Sequence, residues 1–167
     1  MAGILSAAPS AAVDTQGLAM LRIVPTRIAG WKEDTSRFKS FDRNGLFTVI
    51  DGGAPDYLDA GLIGGIVLEL NGTDSVSSEI FVEDFGNAKA SATMLAKKAE
   101  AISHVDTLAG YKKSEVIVEK VIGGCLACAG FGRYYFEVSM TGYSDYAKAT
   151  KTAGTLLSAF QKQISSK

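Results

Sequence analysis

Two β-rich runs, Leu62 to Leu70 and Val76 to Phe85, are joined by Asn71-Gly72-Thr73-Asp74, and an Asn-Gly step between such runs is a strong local signal for a hairpin. A lone hairpin is marginal in water, so this feature demands further strands or helices to cover it. In the second run Ile80 and Val82 alternate with Glu79, Phe81 and Glu83, which predicts a half-buried strand with one aliphatic and one mixed face. Val116, Val118 and Val121 mark another strand and Arg133 to Met140 a further one, with Leu126 to Phe131 ambiguous between them. Gly123-Gly124 and Gly130 to Gly132 supply the turns or bulges.

Helical stretches provide the cover. Asn87 caps a predicted helix from about Ala88 to Ser103, with Ala92, Leu95, Ala96, Ala99 and Ile102 on one stripe and Lys97, Lys98 and Glu100 off it. Ser144 is the predicted N-cap of the last helix, where Tyr146, Ala149, Ala153, Leu156, Leu157, Phe160 and Ile164 recur at three- and four-residue steps. Two short helices precede the hairpin. One runs from Asp42 as N-cap through Leu46, Phe47, Val49 and Ile50 to Gly52-Gly53, and the other from Pro55 to Ala60 with Gly61 at its end. Leu18 to Pro25 reads as an apolar edge strand leading into a packed Trp31, and Lys32 to Lys39 as a loop or short strand. The order predicts an α+β fold: a twisted, mainly antiparallel sheet of about five to seven strands covered by two long amphipathic helices.

At 167 residues the chain has the length of one domain with a sizeable core. Residues 18–167 are read as that single α+β domain, and residues 1–17, rich in Ala and Ser, as a flexible segment or the remnant of an export leader. Seventeen Lys and Arg against eighteen Asp and Glu, with no long run of either sign, argue against a nucleic-acid partner. No continuous apolar stretch reaches the length of a membrane span.

The segment from Ile23 to Gly61 carries Pro25, Gly30-Trp31, Leu46-Phe47, Ile50-Asp51-Gly52-Gly53-Ala54, Tyr57-Leu58 and Gly61. It resembles a bacterial family of exported proteins with no assigned activity. Glu79 to Gly86 looks like a stretched form of a later motif of that family, and Gly132-Arg133-Tyr134-Tyr135 resembles another. The sequence departs from the family pattern at Thr48 and at Pro55-Asp56. The resemblance implies an envelope location, periplasmic or secreted, and an α+β fold; it implies no chemistry.

The best candidate for a ligand site is the corner holding Asp51, Asp56, Tyr57 and Asp59, where glycines let the backbone bend beside three carboxylates. Arg133 and Tyr135 join it as candidates, because strand alternation places them on one face and Tyr134 on the other. Cys125 and Cys128 have the CxxC spacing of a dithiol couple, but glycines and strand formers surround them instead of a helix N-terminus. The single His104 cannot complete a four-ligand zinc site with them, and no metal is expected. Neither the Gly61 to Gly65 nor the Gly123 to Gly132 stretch has the order of a phosphate loop, so no cofactor is expected. With no Gly-x-Ser-x-Gly elbow and no complete catalytic set, the reading is a non-enzymatic envelope protein that binds a partner or small ligand. A thiol-dependent redox protein using Cys125 and Cys128 and a structural subunit of an assembly are the alternatives.

Overall fold

The computed structural model of the protein describes residues 19–50 and 52–166. Among them, seven strands form one antiparallel sheet: β1 (Lys32–Glu33), β2 (Lys39–Asp42), β3 (Gly64–Asn71), β4 (Ser77–Asp84), β5 (Val116–Val121), β6 (Gly124–Phe131) and β7 (Tyr134–Thr141). The order across the sheet is β1-β3-β4-β7-β6-β5, and β2 pairs with the same edge of β3 as β1, at the opposite end. The α-helices are α1 (Ala54–Ala60), α2 (Ala88–Ala101) and α3 (Tyr146–Ser165), joined by 3-10 turns at Thr35–Arg37 and Leu46–Thr48. The fold is therefore the α+β arrangement the pattern predicts. No helix among the described residues is long and apolar enough to cross a membrane.

Each hairpin follows from its turn. The β3–β4 ladder runs from Gly64↔Asp84 to Asn71↔Ser77 and closes through residues 72–76, where Asp74 and Ser75 take positive φ of 57° and 62°. Asn71 thus ends the strand rather than occupying the turn. The β5–β6 and β6–β7 hairpins turn in two residues each, Ile122-Gly123 and Gly132-Arg133, with Gly123 at φ 73° and Gly132 at φ 59°. Tight hairpins need such left-handed positions, and glycine takes them without a Cβ clash. The ambiguous Leu126 to Phe131 stretch forms the greater part of β6, to its C-terminal end.

Alternation along the strands splits the core in two. Ile66, Leu68, Ile80, Val82, Ala127, Ala129, Phe136, Val138 and Met140 face one side, where Ala149, Ala153, Leu156, Leu157 and Phe160 of α3 cover them. Alanines on both α3 and β6 leave room for the helix to lie close to the strand. The other side carries Val67, Ile117, Cys128 and Tyr135, covered by Leu46, Tyr57, Leu62, Met94 and Leu95 from the short helices, their connections and α2.

Five sequence expectations need correction. The short helix expected from Asp42 to Ile50 is only the 3-10 turn Leu46–Thr48, because Asp42 ends β2 and its carboxylate accepts from the amides of Asn44 and Gly45 instead of capping a helix. Residues 19–21 are helical rather than an edge strand, and Met20 and Ile23 are buried on the α3 side; the apolar run packs sideways without offering its backbone to the sheet. Asp145, not Ser144, caps α3, its carboxylate accepting from the amides of Ala147 and Lys148. The buried positions of α2 are Ser91, Met94 and Leu95, with Ile102 just beyond, while Ala92 and Ala96 are exposed. A run so rich in alanine fixes no unique stripe. Finally, β4 is buried on both faces toward its end: Val82, Glu83 and Asp84 are all inaccessible or nearly so.

Candidate functional site

The α2 side of the sheet is where the site lies. Gly61 ends α1 in the left-handed conformation at φ 97°, and the amide of Leu62 donates to the Tyr57 carbonyl. This C-cap turns the chain straight into β3 and pins the buried Tyr57 ring over the sheet. Gly65 of β3 makes room for Phe41, whose ring tip would stand 2.3 Å from a Cβ at that position. On α2, Asn87 accepts from the Ala90 amide as N-cap, and the Ser91 hydroxyl donates to the Gly132 carbonyl at 2.6 Å, tying the helix to the β6–β7 turn.

Between α1, α2 and strands β4 and β7 lies a cavity of about 390 Å³. Val49, Ile50, Phe81 and Met94 give it apolar walls, and Gly53 and Ala101 flank it. Its polar groups are Asp56 and Lys97 at the rim, paired at 3.3 Å, and Tyr57, Lys98 and Glu137. The exposed rim pair contributes little, since such pairs are worth at most about 1 kcal/mol.

The floor is different. Phe81 and Glu137 are direct partners in the β4–β7 ladder, and Cys128 is the partner of Glu137 on its other side. One Glu137 oxygen, Oε1, accepts from Tyr57 Oη at 2.5 Å, from Tyr135 Oη at 3.1 Å and from Lys98 Nζ at 3.2 Å; Lys98 also reaches Oε2 at 3.2 Å. These charge-assisted bonds hold Glu137 as a positioned anion. Burial first, then the Glu137 charge, pushes the Tyr57 hydroxyl far above its ordinary range, so it remains a donor. Burial, the largest single influence, pulls the Lys98 ammonium down, but the charge and hydrogen bond of Glu137 together with Cys128 and Glu83 outweigh it, and the net direction is up. Lys98 therefore keeps its charge beside the Glu137 carboxylate, 3.2 Å away.

Beside it sits Glu83, fully buried, with neither carboxyl oxygen hydrogen-bonded among the described residues. Burial first, and the Glu137 charge second, lift its carboxyl well above the ordinary 4.5, while Lys98 opposes the shift. Glu83 is thus held toward its uncharged form beside the carboxylate that Lys98 and the two tyrosines bind.

Of the residues read from the sequence, Tyr57 and Asp56 line the cavity and Tyr135 supports its floor. Asp51 lies outside the described residues. Asp59 is exposed and stands apart from the cavity wall. Arg133 sits in the β6–β7 turn and pairs with Asp84 through Nε at 2.7 Å and Nη2 at 2.6 Å, so it does not share a face with Tyr135. Cys125 and Cys128, three residues apart on a strand, point to opposite faces: Cys125 into the α3 core, Cys128 beneath α2. Both are free and buried, and burial raises the Cys125 thiol to about 11 and the Cys128 thiol further. The structure does not bring the two sulfurs together.

Sequence reasoning missed Lys98, Glu137 and Glu83 as site residues. The available signal was parity: Phe81, Glu83 and Phe85 share one face of β4 and its extension, so the acid between two aromatics had to lie among them. Lys98 lies four residues beyond Met94, on the buried stripe of α2. Among the described residues, no group of three or more His, Cys, Asp and Glu is gathered to hold a metal ion. A wider depression of about 940 Å³ lies between residues 107–111 and α3. Lys151, Thr155 and Lys162 on its wall are solvent-exposed.

No family model and no curated protein matches the chain. Among solved structures, the extracellular domain of PknH from Mycobacterium tuberculosis is similar, at 13% identity over 79% of this chain and 81% of that one, with a TM-score of 0.49. So distant a likeness carries no argument about function.

Proposed function

We propose that this protein is a non-enzymatic envelope binding module that takes a small ligand in the cavity between α1 and α2. One observation carries the reading: an ion pair and two tyrosine hydroxyls converge on a single carboxylate at the bottom of a concave site with apolar walls. Preformed concavity, apolar lining and a few fixed polar groups are what small-molecule sites share. The envelope location rests on the resemblance of the Ile50 to Gly61 block. The opposed orientation of Cys125 and Cys128 speaks against the dithiol alternative.

A fragment screen followed by amide chemical shifts tests this. Binding is expected to move the signals of Gly53, Tyr57, Lys98 and Glu137 together, and Ala101→Trp, which places a ring at the exposed cavity wall, is expected to abolish the response. Shifts centred elsewhere, or unchanged in Ala101→Trp, contradict the reading.

A further inference from the structure

We propose that the ligand of this cavity carries a cationic, ammonium-like head, met by Glu137 with Glu83 behind it, and that its arrival releases a proton from Glu83. The inference rests on the cavity being a binding site and names what the site selects.

Geometry comes first. Glu83 lies two residues from Phe81 on the same face of β4, and Phe81 is the ladder partner of Glu137. Glu83 and Glu137 are thus diagonal neighbours across adjacent strands, a relation that sets Cα atoms roughly 7–8 Å apart. Phe81 and Glu137 both line the cavity, so Glu83, itself fully buried, lies directly behind that floor. Its two oxygens are buried without partners among the described residues. A buried polar group left unpaired costs about 1–3 kcal/mol, and native folds keep few of them without a reason.

The surrounding groups show what is missing. Facing Glu83 are Tyr57 from α1, Lys98 from α2, Cys128 from β6, and Tyr135 and Glu137 from β7. On β3 its partner is Gly65, capped by the Phe41 ring. Tyr57, Tyr135 and Lys98 all spend hydrogen bonds on Glu137. One ammonium thus faces two carboxyls, and it neutralises one of them. An incoming anion would set a further negative charge beside Glu137 and leave Glu83 protonated and unpaired. An incoming cation supplies the absent charge. Phe81 and Tyr57 on the wall are aromatic, the side-chain class that attracts an ammonium group. The exchange balances: the Glu83 carboxyl becomes a carboxylate, its proton passes to solvent, and the ligand brings the compensating positive charge.

Three probes of matched size, n-butylammonium, butyrate and butanol, separate the possibilities by titration calorimetry. Each is run between about pH 6 and pH 8 in two non-amine buffers of different ionisation enthalpy. The expected result is preference for n-butylammonium, release of up to one proton, and affinity that rises with pH by at most about tenfold per unit. Glu83→Gln is expected to bind it without proton release and with flat pH dependence. If butyrate or butanol binds better, or n-butylammonium binds the wild type with no proton released, the cation inference is overturned while the cavity stands as a site. If no probe binds, or n-butylammonium binds equally to Ala101→Trp, both the site and the inference fall.

Discussion

Glu83 is the residue on which the chemistry of the site turns. Its carboxyl titrates well above 4.5 in the folded protein because it is buried and beside Glu137. Between the unfolded and folded values the native state binds more protons than the unfolded chain, so its contribution is fully present at low pH and is lost as pH rises. The slope is about 1.4 kcal/mol per pH unit until the folded value is passed. Glu83→Gln removes the titration, and urea unfolding should show it more stable than wild type near pH 7, with the gap shrinking toward pH 4; parallel profiles would refute this. Tyr57→Phe deletes the 2.5 Å bond to Glu137, and the loss of a bond to a charged acceptor is expected to cost about 1.5–3 kcal/mol. Neither carboxylate was legible as a site in the sequence, because Glu83 sits in an ordinary alternating strand pattern and its burial is imposed by α1 and α2, elements distant in sequence.

Elements were legible where the pattern had one solution. The α3 stripe holds bulky residues at fixed steps and is buried as its spacing requires, and proline and glycine bracket α1 as the local rules demand. The α2 stripe was misread because alanine is tolerated on either face, so tertiary packing on β6 and β7 chose the rotation and brought Lys98 inward. The CxxC pair shows the opposite case: once β6 is a strand, a three-residue separation must split the thiols between faces. Alkylation should therefore modify neither cysteine in the native protein at neutral pH and both on unfolding, and a rapidly reacting thiol would contradict the β6 placement. Gly124 has its own constraint. A Cβ there would meet the Met140 carbonyl oxygen at 1.7 Å, a backbone atom that cannot swing aside, and Gly124→Ala is expected to cost about 3 kcal/mol or more.

At the scale of the molecule, the two faces of the sheet do different work. The α3 face is a continuous apolar core centred on Phe136 and Phe160, whose ring centroids are 5.3 Å apart. Phe160→Ala should lower stability by about 3–5 kcal/mol while leaving probe affinity unchanged in the folded protein, since the cavity is on the other side. The α2 face gives up part of its apolar packing to a lysine, two glutamates and two tyrosines, and there the chain opens a concave surface. The central claim is that a buried Glu83, held toward its protonated form, lies behind Glu137 beneath that surface. Side-chain carboxyl carbon NMR across a pH titration measures it most directly: a Glu83 signal whose transition lies well above 4.5 is the predicted result, and a signal that titrates near 4.5 would contradict it.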